Sequence, residues 1–454
     1  MSFASSVRRR GVTVAVAVSV AGTAALLALP STGALASTGA ASVYYQVSPI
    51  ARLAVASQGA TPGGFPYSPS QCVKNFGLAC YTPQDLRTGY QFPSGATGAG
   101  ETIVIIDAYG SPTIRQDLAT YDQEFGLPAA TLNIYYPSGS PVYNPLQNHN
   151  ETSWAEETSL DVEQSHGLAP QATIDLVVAP NNSGDALNNA EQYAVNNHLG
   201  QVMSMSFGAP EDAFQGNNDQ LTQAEGIFQQ AVNQGMSLFA SAGDSGATEG
   251  TSSPTALFPA SDPLVTSVGG TDLFLSNRGT YRSETTWNDS IPSLCPFGCD
   301  YGPFGATGGA PSDLFSQPSY QVNDGQSFSS RTTSDVSFNA SVYTATMIYL
   351  GFLGANSGFY FFGGTSEGSP SWAAITVSAD QAAGHPLGEL NPLLYGIYHS
   401  GRTYANDFNN IYGPGQNNGF NGPGYPATSP GYNLPTGLGT PIVGNLISSL
   451  AGGA

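Results

Sequence analysis

Three short stretches of this chain carry residues whose types and spacing suit one piece of chemistry. Gly364-Thr365-Ser366-Glu367-Gly368-Ser369-Pro370 sets a serine in a turn of small residues, just before the helix-forming run Ser371 to Ala383. Such a turn exposes a hydroxyl, lets backbone approach closely and puts the N-terminal end of a helix alongside, as a nucleophile requires. The second stretch, Trp154-Ala-Glu-Glu-Thr-Ser-Leu-Asp-Val-Glu163, carries Glu157 and Asp161, and the third, Ser241-Ala-Gly-Asp-Ser-Gly246, carries Asp244. His149, His166, His198, His385 and His399 are scattered, with none in a nucleophile–base context. A serine served by carboxylates points to acyl transfer in acid.

Each stretch has a blander reading. On a helix at about 100° per residue, Glu157 and Asp161 lie roughly 40° apart on one face, whereas Glu156 lies roughly 140° from Asp161. Two acids at this spacing repel unless they share a proton or meet a third group. A solvated acidic face is the alternative, opposed by Leu160 and Val162 on either side of Asp161. Asp244 can be a simple turn acid. It can also, when protonated, donate to a developing oxyanion, which demands acid or a raised pKa. Ser366 can be a helix N-cap.

The elements that must hold these residues alternate. Strand patterns run over 101–107, 172–179, 201–207, 236–242 and 264–268, with helix patterns over 114–125, 152–166, 185–198 and 221–234. That alternation predicts an α/β fold with a parallel sheet, whose ligands gather at the C-terminal strand ends. Asp107 and Asp244 fall at or just beyond such ends. Residues 275–345 read as loop-rich, and 401–441 as a long Gly, Asn and Pro segment of the kind that is functional or metal-braced.

The length of 454 residues and a 40% hydrophobic content suffice for one large domain. Charged residues make up 9%, the net charge is -21, and Lys74 is the only lysine. No basic footprint exists for nucleic acid or an anionic membrane. With 11 Lys and Arg and 5 His, the chain becomes only modestly positive once its carboxylates are protonated in acid, which reads as acid tolerance. Residues 1–36 have the form of a signal peptide: Arg8-Arg9-Arg10, an apolar run from Val12 to Leu29, and Ala34-Leu35-Ala36. A secreted protein with no membrane attachment after signal removal follows. Residues 37–80 read as a Ser, Gly and Pro-rich leader or arm, with regular structure from Tyr81 and one domain over 81–454. Cys72, Cys80, Cys295 and Cys299 suit two disulfides, with the local pairs Cys72–Cys80 and Cys295–Cys299 preferred among three connectivities. Zinc is the lesser alternative.

Taken together, the motifs resemble the sedolisins, the serine-carboxyl peptidases that include the kumamolisins. Gly364-Thr365-Ser366-x-x-x-Pro370 matches the nucleophile motif, Glu157-x-x-x-Asp161 the acidic pair, Ser241-Ala-Gly-Asp244-Ser-Gly246 the oxyanion-aspartate motif, and Thr436-Gly-Leu-Gly-Thr-Pro441 the closing motif. The resemblance runs from about Tyr81 to the C-terminus. It implies a subtilisin-like fold, a central parallel sheet flanked by helices, and an acid-active endopeptidase acting on protein or peptide substrates as a monomer. It also implies roles: Ser366 as nucleophile, Glu157 as general base, Asp161 orienting Glu157, and Asp244 with the Ser366 N–H stabilising the oxyanion. Asp107 would extend the proton network, and Ser204, Ser206 and Gly208 would lie on the strand that pairs with substrate. Two departures stand out. The stretch 37–80 is too short for the family's large propeptide domain. The family's calcium site has asparagines here, at Asn410-Ile411 and Asn433, so calcium is expected to bind weakly or not at all unless Asp407 substitutes. A catalytically inactive peptide- or surface-binding relative is the alternative. A glycosidase using Glu157 and Asp161 would leave Ser366 and Asp244 without roles.

Overall fold

The computed structural model describes residues 42–47, 50–56, 65–142, 144, 146–215, 218–295, 297 and 304–452. The signal-like segment 1–36 lies outside them.

Eight strands form the central sheet, numbered in chain order: β1 Thr102–Ala108, β2 Thr131–Tyr135, β3 Thr173–Ala179, β4 Val202–Met205, β5 Ser237–Ser241, β6 Thr266–Leu275, β7 Tyr281–Thr286 and β8 Val336–Asn339. Their order is β7-β6-β5-β4-β1-β3-β2, with β8 also on β6. All pairings are parallel except β6 with β7. The β-branched run Thr102-Ile-Val-Ile-Ile is what a strand covered on both faces requires. Its alternate residues divide between two cores. Ile103 and Ile105 join Leu160, Trp372 and Ile375 on one face, while Val104 and Ile106 join Leu187 and Phe228 on the other. Asp107 therefore points to the face of Ile103 and Ile105.

That face is covered by two helices, His149–Leu168 (the acidic helix) and Gly368–Ala383 (the serine helix). Helices Gly184–Asn196 and Asn218–Asn233 cover the other. From β1 the chain builds β2 and β3 on one side, then returns to place β4 on the other, so a crevice opens at the C-terminal ends of β1 and β4. The subtilisin-like architecture expected from the sequence is what forms.

A second sheet supplies the nucleophile. Gly358–Gly363 pairs antiparallel with both Thr344–Leu350 and Ile50–Ala56, and Ala79–Tyr81 adds in parallel to Thr344–Leu350. Gly358–Gly363 runs straight into Gly364-Thr365-Ser366. Regular structure thus begins well before Tyr81, with helix Pro69–Phe76 joined to the next strand by the Cys72–Cys80 disulfide. The stretch 275–345, read as loop-rich, contains β7 and β8. Short strands set among Ser, Pro and Gly loops leave no alternation long enough to read.

Candidate active site

The acidic helix is not a solvated face. From Trp154 to Leu168 every side chain but that of Glu156 is buried, and Glu157 and Asp161 are fully enclosed. Burying a carboxylate is costly unless it is neutralised or paired. Burial raises the pKa of Glu157 well above the ordinary value, and Asp161, Asp107 and Asp244 add to the rise. Asp161 is raised by burial and by Asp107. Asp107 is raised by burial, partly offset by Thr158. Negative charge on one of these buried carboxyls opposes charge on the others, so their titrations are linked.

Ser366 faces this cluster. The turn Thr365–Glu367 precedes the serine helix, whose N-cap is Glu367, so Ser366 is not the cap. The Ser366 side chain favours the charged form of Glu157. Both Glu157 oxygens nonetheless lack a hydrogen-bond partner, so the contact is longer or less aligned than a formed bond. Such contacts are commonly loose without substrate. Ser206 Oγ donates to Asp161 Oδ1 at 2.8 Å and lies 3.3 Å from the Ser366 carbonyl oxygen, joining acid and nucleophile through one hydroxyl.

Asp244 stands across the cleft, just past the end of β5. Its Oδ1 accepts from the Thr365 amide and the Thr365 hydroxyl, both at 2.7 Å. Burial outweighs these two donors and lifts its pKa to about 6. A side chain on Gly364 would sit 2.8 Å from Asp244 Oδ2, and Gly364 has φ 127°, so only glycine fits there. Asp244 is enclosed by protein yet partly open toward a cleft of about 250 Å³, which it lines with Ser206, Gly208, Ser366, Glu249 and Leu257.

The sequence-predicted residues thus converge, with one exception. Ser206 and Gly208 line the cleft, but Ser204 does not. It lies deeper, within β4, and its hydroxyl meets that of Ser369 at 2.8 Å, tying the sheet to the serine helix. Sequence reasoning missed three participants. Glu249 lines the cleft five residues after Asp244, its pKa raised by burial and then by Asp244. Thr365 orients Asp244. Asn339, at the end of β8, donates to both oxygens of buried Glu367 at 3.1 Å and so holds the residue after the nucleophile. Position in a motif hinted at Thr365 alone; the others depend on chain segments brought from afar.

The suspected calcium loop is closed by its own amides. Asn410 Nδ2 donates to Gly431 O (2.9 Å), and Asn410 Oδ1 accepts from Gly431 N (2.8 Å). Asn433 Nδ2 donates to Ile411 O (3.1 Å), and Asn433 Oδ1 accepts from the amide and hydroxyl of Thr436. The side-chain oxygens of Asn410 and Asn433 each already take an N–H or O–H, while Asp407 Oδ2 is buried without a hydrogen-bond partner among the described residues. Asp407 interacts with Ser449 rather than with this loop. The residues present do not fit calcium. Cysteine-bound zinc is likewise ruled out at Cys72 and Cys80, which are disulfide-bonded to each other; Cys295 is also disulfide-bonded, and Cys299 lies outside the described residues. Of the histidines, His166 is buried against Asp122 and the Pro128 carbonyl, a structural setting. Among the described residues no helix is long and apolar enough to cross a membrane.

Residues 144–390 match the subtilase family model. Kumamolisin of Bacillus sp. (strain MN-32) is 32% identical over 392 residues, covering 82% of this chain and 63% of that protein. Sedolisin of Pseudomonas sp. (strain 101) is 30% identical over 371 residues, covering 79% and 59%. The chain therefore spans about three fifths of the length of these curated relatives. A solved structure of Pseudomonas sedolisin, described as a serine-carboxyl proteinase with two molecules of pseudo-iodotyrostatin, superposes with a TM-score of 0.72 at 26% identity, over 83% of this chain and 99% of that one. With a family model matching more than half its length and the site assembled from the expected motifs, the chain belongs to the subtilase family, in its sedolisin group.

Proposed function

We propose that this protein is a secreted serine-carboxyl endopeptidase that hydrolyses peptide bonds in acid. One observation carries the reading: Ser366 sits between a buried cluster of Glu157, Asp161 and Asp107 and a separate carboxyl, Asp244, with a raised pKa.

In the proposed reaction Glu157 takes the Ser366 hydroxyl proton as Oγ attacks the scissile carbonyl, and later returns it to the leaving amine. Asp161, held by Ser206, shares the proton and orients Glu157; Asp107 extends the same network. Asp244 must be protonated to donate to the developing oxyanion, and a pKa of about 6 keeps it so in acid. The point a Gly364 side chain would occupy is 2.8 Å from Asp244 Oδ2 and 3.8 Å from the Ser366 amide nitrogen, so the carboxyl and the amide border one small region without both being within hydrogen-bond distance of that point. Burial by the surrounding protein is what holds the proton on Asp244 at pH values below about 6.

The test is hydrolysis of casein and quenched peptides by the secreted wild type and by Ser366→Ala, from pH 2 to 8. Cleavage confined to acid and lost in Ser366→Ala is expected. Equal activity in the variant, or a maximum on the alkaline side, refutes the assignment.

A further inference from the structure

Glu367, the residue after the nucleophile, is a fully buried carboxyl that no step of the proposed reaction uses. Burial is costly for such a group. It raises the Glu367 pKa well above the ordinary value, and Asn339 is what opposes the rise. In acid Glu367 is therefore uncharged, and what it lends to Ser366 is geometry. An apolar side chain of similar volume serves packing at least as well, so packing alone does not explain the carboxyl.

The turn 364–367 is pinned to the segment 339–340 at two points. Gly364 N donates to Ala340 O at 2.6 Å, and Asn339 Nδ2 donates to both Glu367 oxygens at 3.1 Å. Ser366 lies between the two pins. Within the turn, Glu367 N donates to Gly364 O (3.1 Å), and Ser371 Oγ donates to Glu367 O (2.6 Å), which closes the turn onto the start of the serine helix.

Asn339 is itself immobilised. Its Oδ1 accepts from Leu273 N (3.1 Å) and Thr344 Oγ1 (2.7 Å), and its Nδ2 also donates to Thr344 O (2.7 Å). Its backbone N donates to Tyr90 Oη (2.9 Å), which donates in turn to Glu284 Oε1 (2.7 Å). A side-chain amide has two N–H hydrogens; Thr344 takes one, and Glu367 is left the other. The place of the Glu367 carboxyl is thus set by β6, β8 and Thr344 rather than by its own helix.

We propose that Glu367 is a positioning residue for the reaction: clamped by Asn339, it sets the register of the Ser366 hydroxyl and amide against Glu157 and Asp244. This rests on the peptidase reading above. Thr365 fixes one side of the turn through its bonds to Asp244, and Glu367 fixes the other. Misplacing a reacting atom by about 1 Å can cost about a hundredfold in rate, so a clamp one residue from the nucleophile bears on kcat.

The test compares wild type with E367M, E367A and E367Q on a quenched peptide at about pH 4, separating kcat from KM and checking the fold by circular dichroism. Methionine keeps the volume but loses the acceptor, alanine adds no bulk, and glutamine keeps an acceptor for Asn339. Folded E367M and E367A are expected to lose about tenfold to a hundredfold in kcat with KM changed by less than about threefold, while E367Q stays within about threefold of wild type in both. Full kcat in folded E367M or E367A, a loss confined to KM, or an equal loss in E367Q overturns this inference alone. E367Q decides the matter if neither apolar variant folds, since a tenfold loss of kcat in that variant contradicts the clamp. Absence of any Ser366-dependent hydrolysis by the wild type overturns the peptidase reading along with it.

Discussion

Replacing Asp244 with asparagine probes the acid dependence at its source. The Asp244 carboxyl titrates at about 6 against an ordinary 3.8, because burial penalises the anion more than the two Thr365 donors favour it. Between those values the folded protein keeps a proton that the unfolded chain has released. Stability therefore falls as pH rises through that window, is complete below it, and reaches a constant deficit above it. At 1.36 kcal/mol per pKa unit, a shift of about 2 units corresponds to a deficit of about 3 kcal/mol. Asparagine retains an oxygen for the Thr365 donors and an N–H for the cleft, but never ionises. D244N should match wild type within about 0.5 kcal/mol near pH 3.5 and exceed it by about 3 kcal/mol at pH 8, as read by urea unfolding at the two pH values. In kinetics, wild-type kcat/KM should fall about tenfold per pH unit above 6, and the variant should lose that limb. An equal stability difference at both pH values, or an unchanged limb in the variant, would refute the reasoning.

Other outcomes follow from the same contacts. Ser206→Ala removes the hydrogen bond that favours ionised Asp161; the ascending acid limb of activity should move to higher pH and stability should drop by about 1–2 kcal/mol, checked by a pH–rate profile and denaturant melts. Gly364→Ala forces a methyl against Asp244 Oδ2 at a left-handed φ; activity should fall by about a hundredfold or more and stability by about 1–3 kcal/mol, checked by kcat/KM and thermal melting. Chelators should leave activity and the melting temperature unchanged, because the Asn410 and Asn433 amides already bond the carbonyls of that loop; a rise of several degrees on adding micromolar calcium would contradict this.

Much of the fold could be read from pattern. β1 and β3 are largely apolar runs, and the acidic and serine helices are long and free of breakers between their end turns, so burial and local preference agree there. The helix Ile114–Phe125 has the limits expected from its sequence. What pattern concealed were short or edge strands such as Ala79–Tyr81, β7 and β8, whose pairing depends on partners far along the chain. The leader was equally opaque, because its Ser, Gly and Pro composition masks a strand that pairs with Gly358–Gly363.

The sequence by itself determined the chemical inventory: a serine in a glycine turn, two acids one helical turn apart, and an aspartate at a strand end, none of them dependent on context for its identity. Tertiary structure alone decided what those groups are. Burial turned an apparent acidic face into an enclosed cluster of carboxyls with raised pKa values, since the water a carboxyl loses on folding is the largest cause of its shift. Only packing placed Gly364 against Asp244, added Glu249 and Gln46 to the cleft, and closed the loop of Asn410 and Asn433 with amides. Each of these depends on distance between residues remote in the chain, which no local spacing encodes.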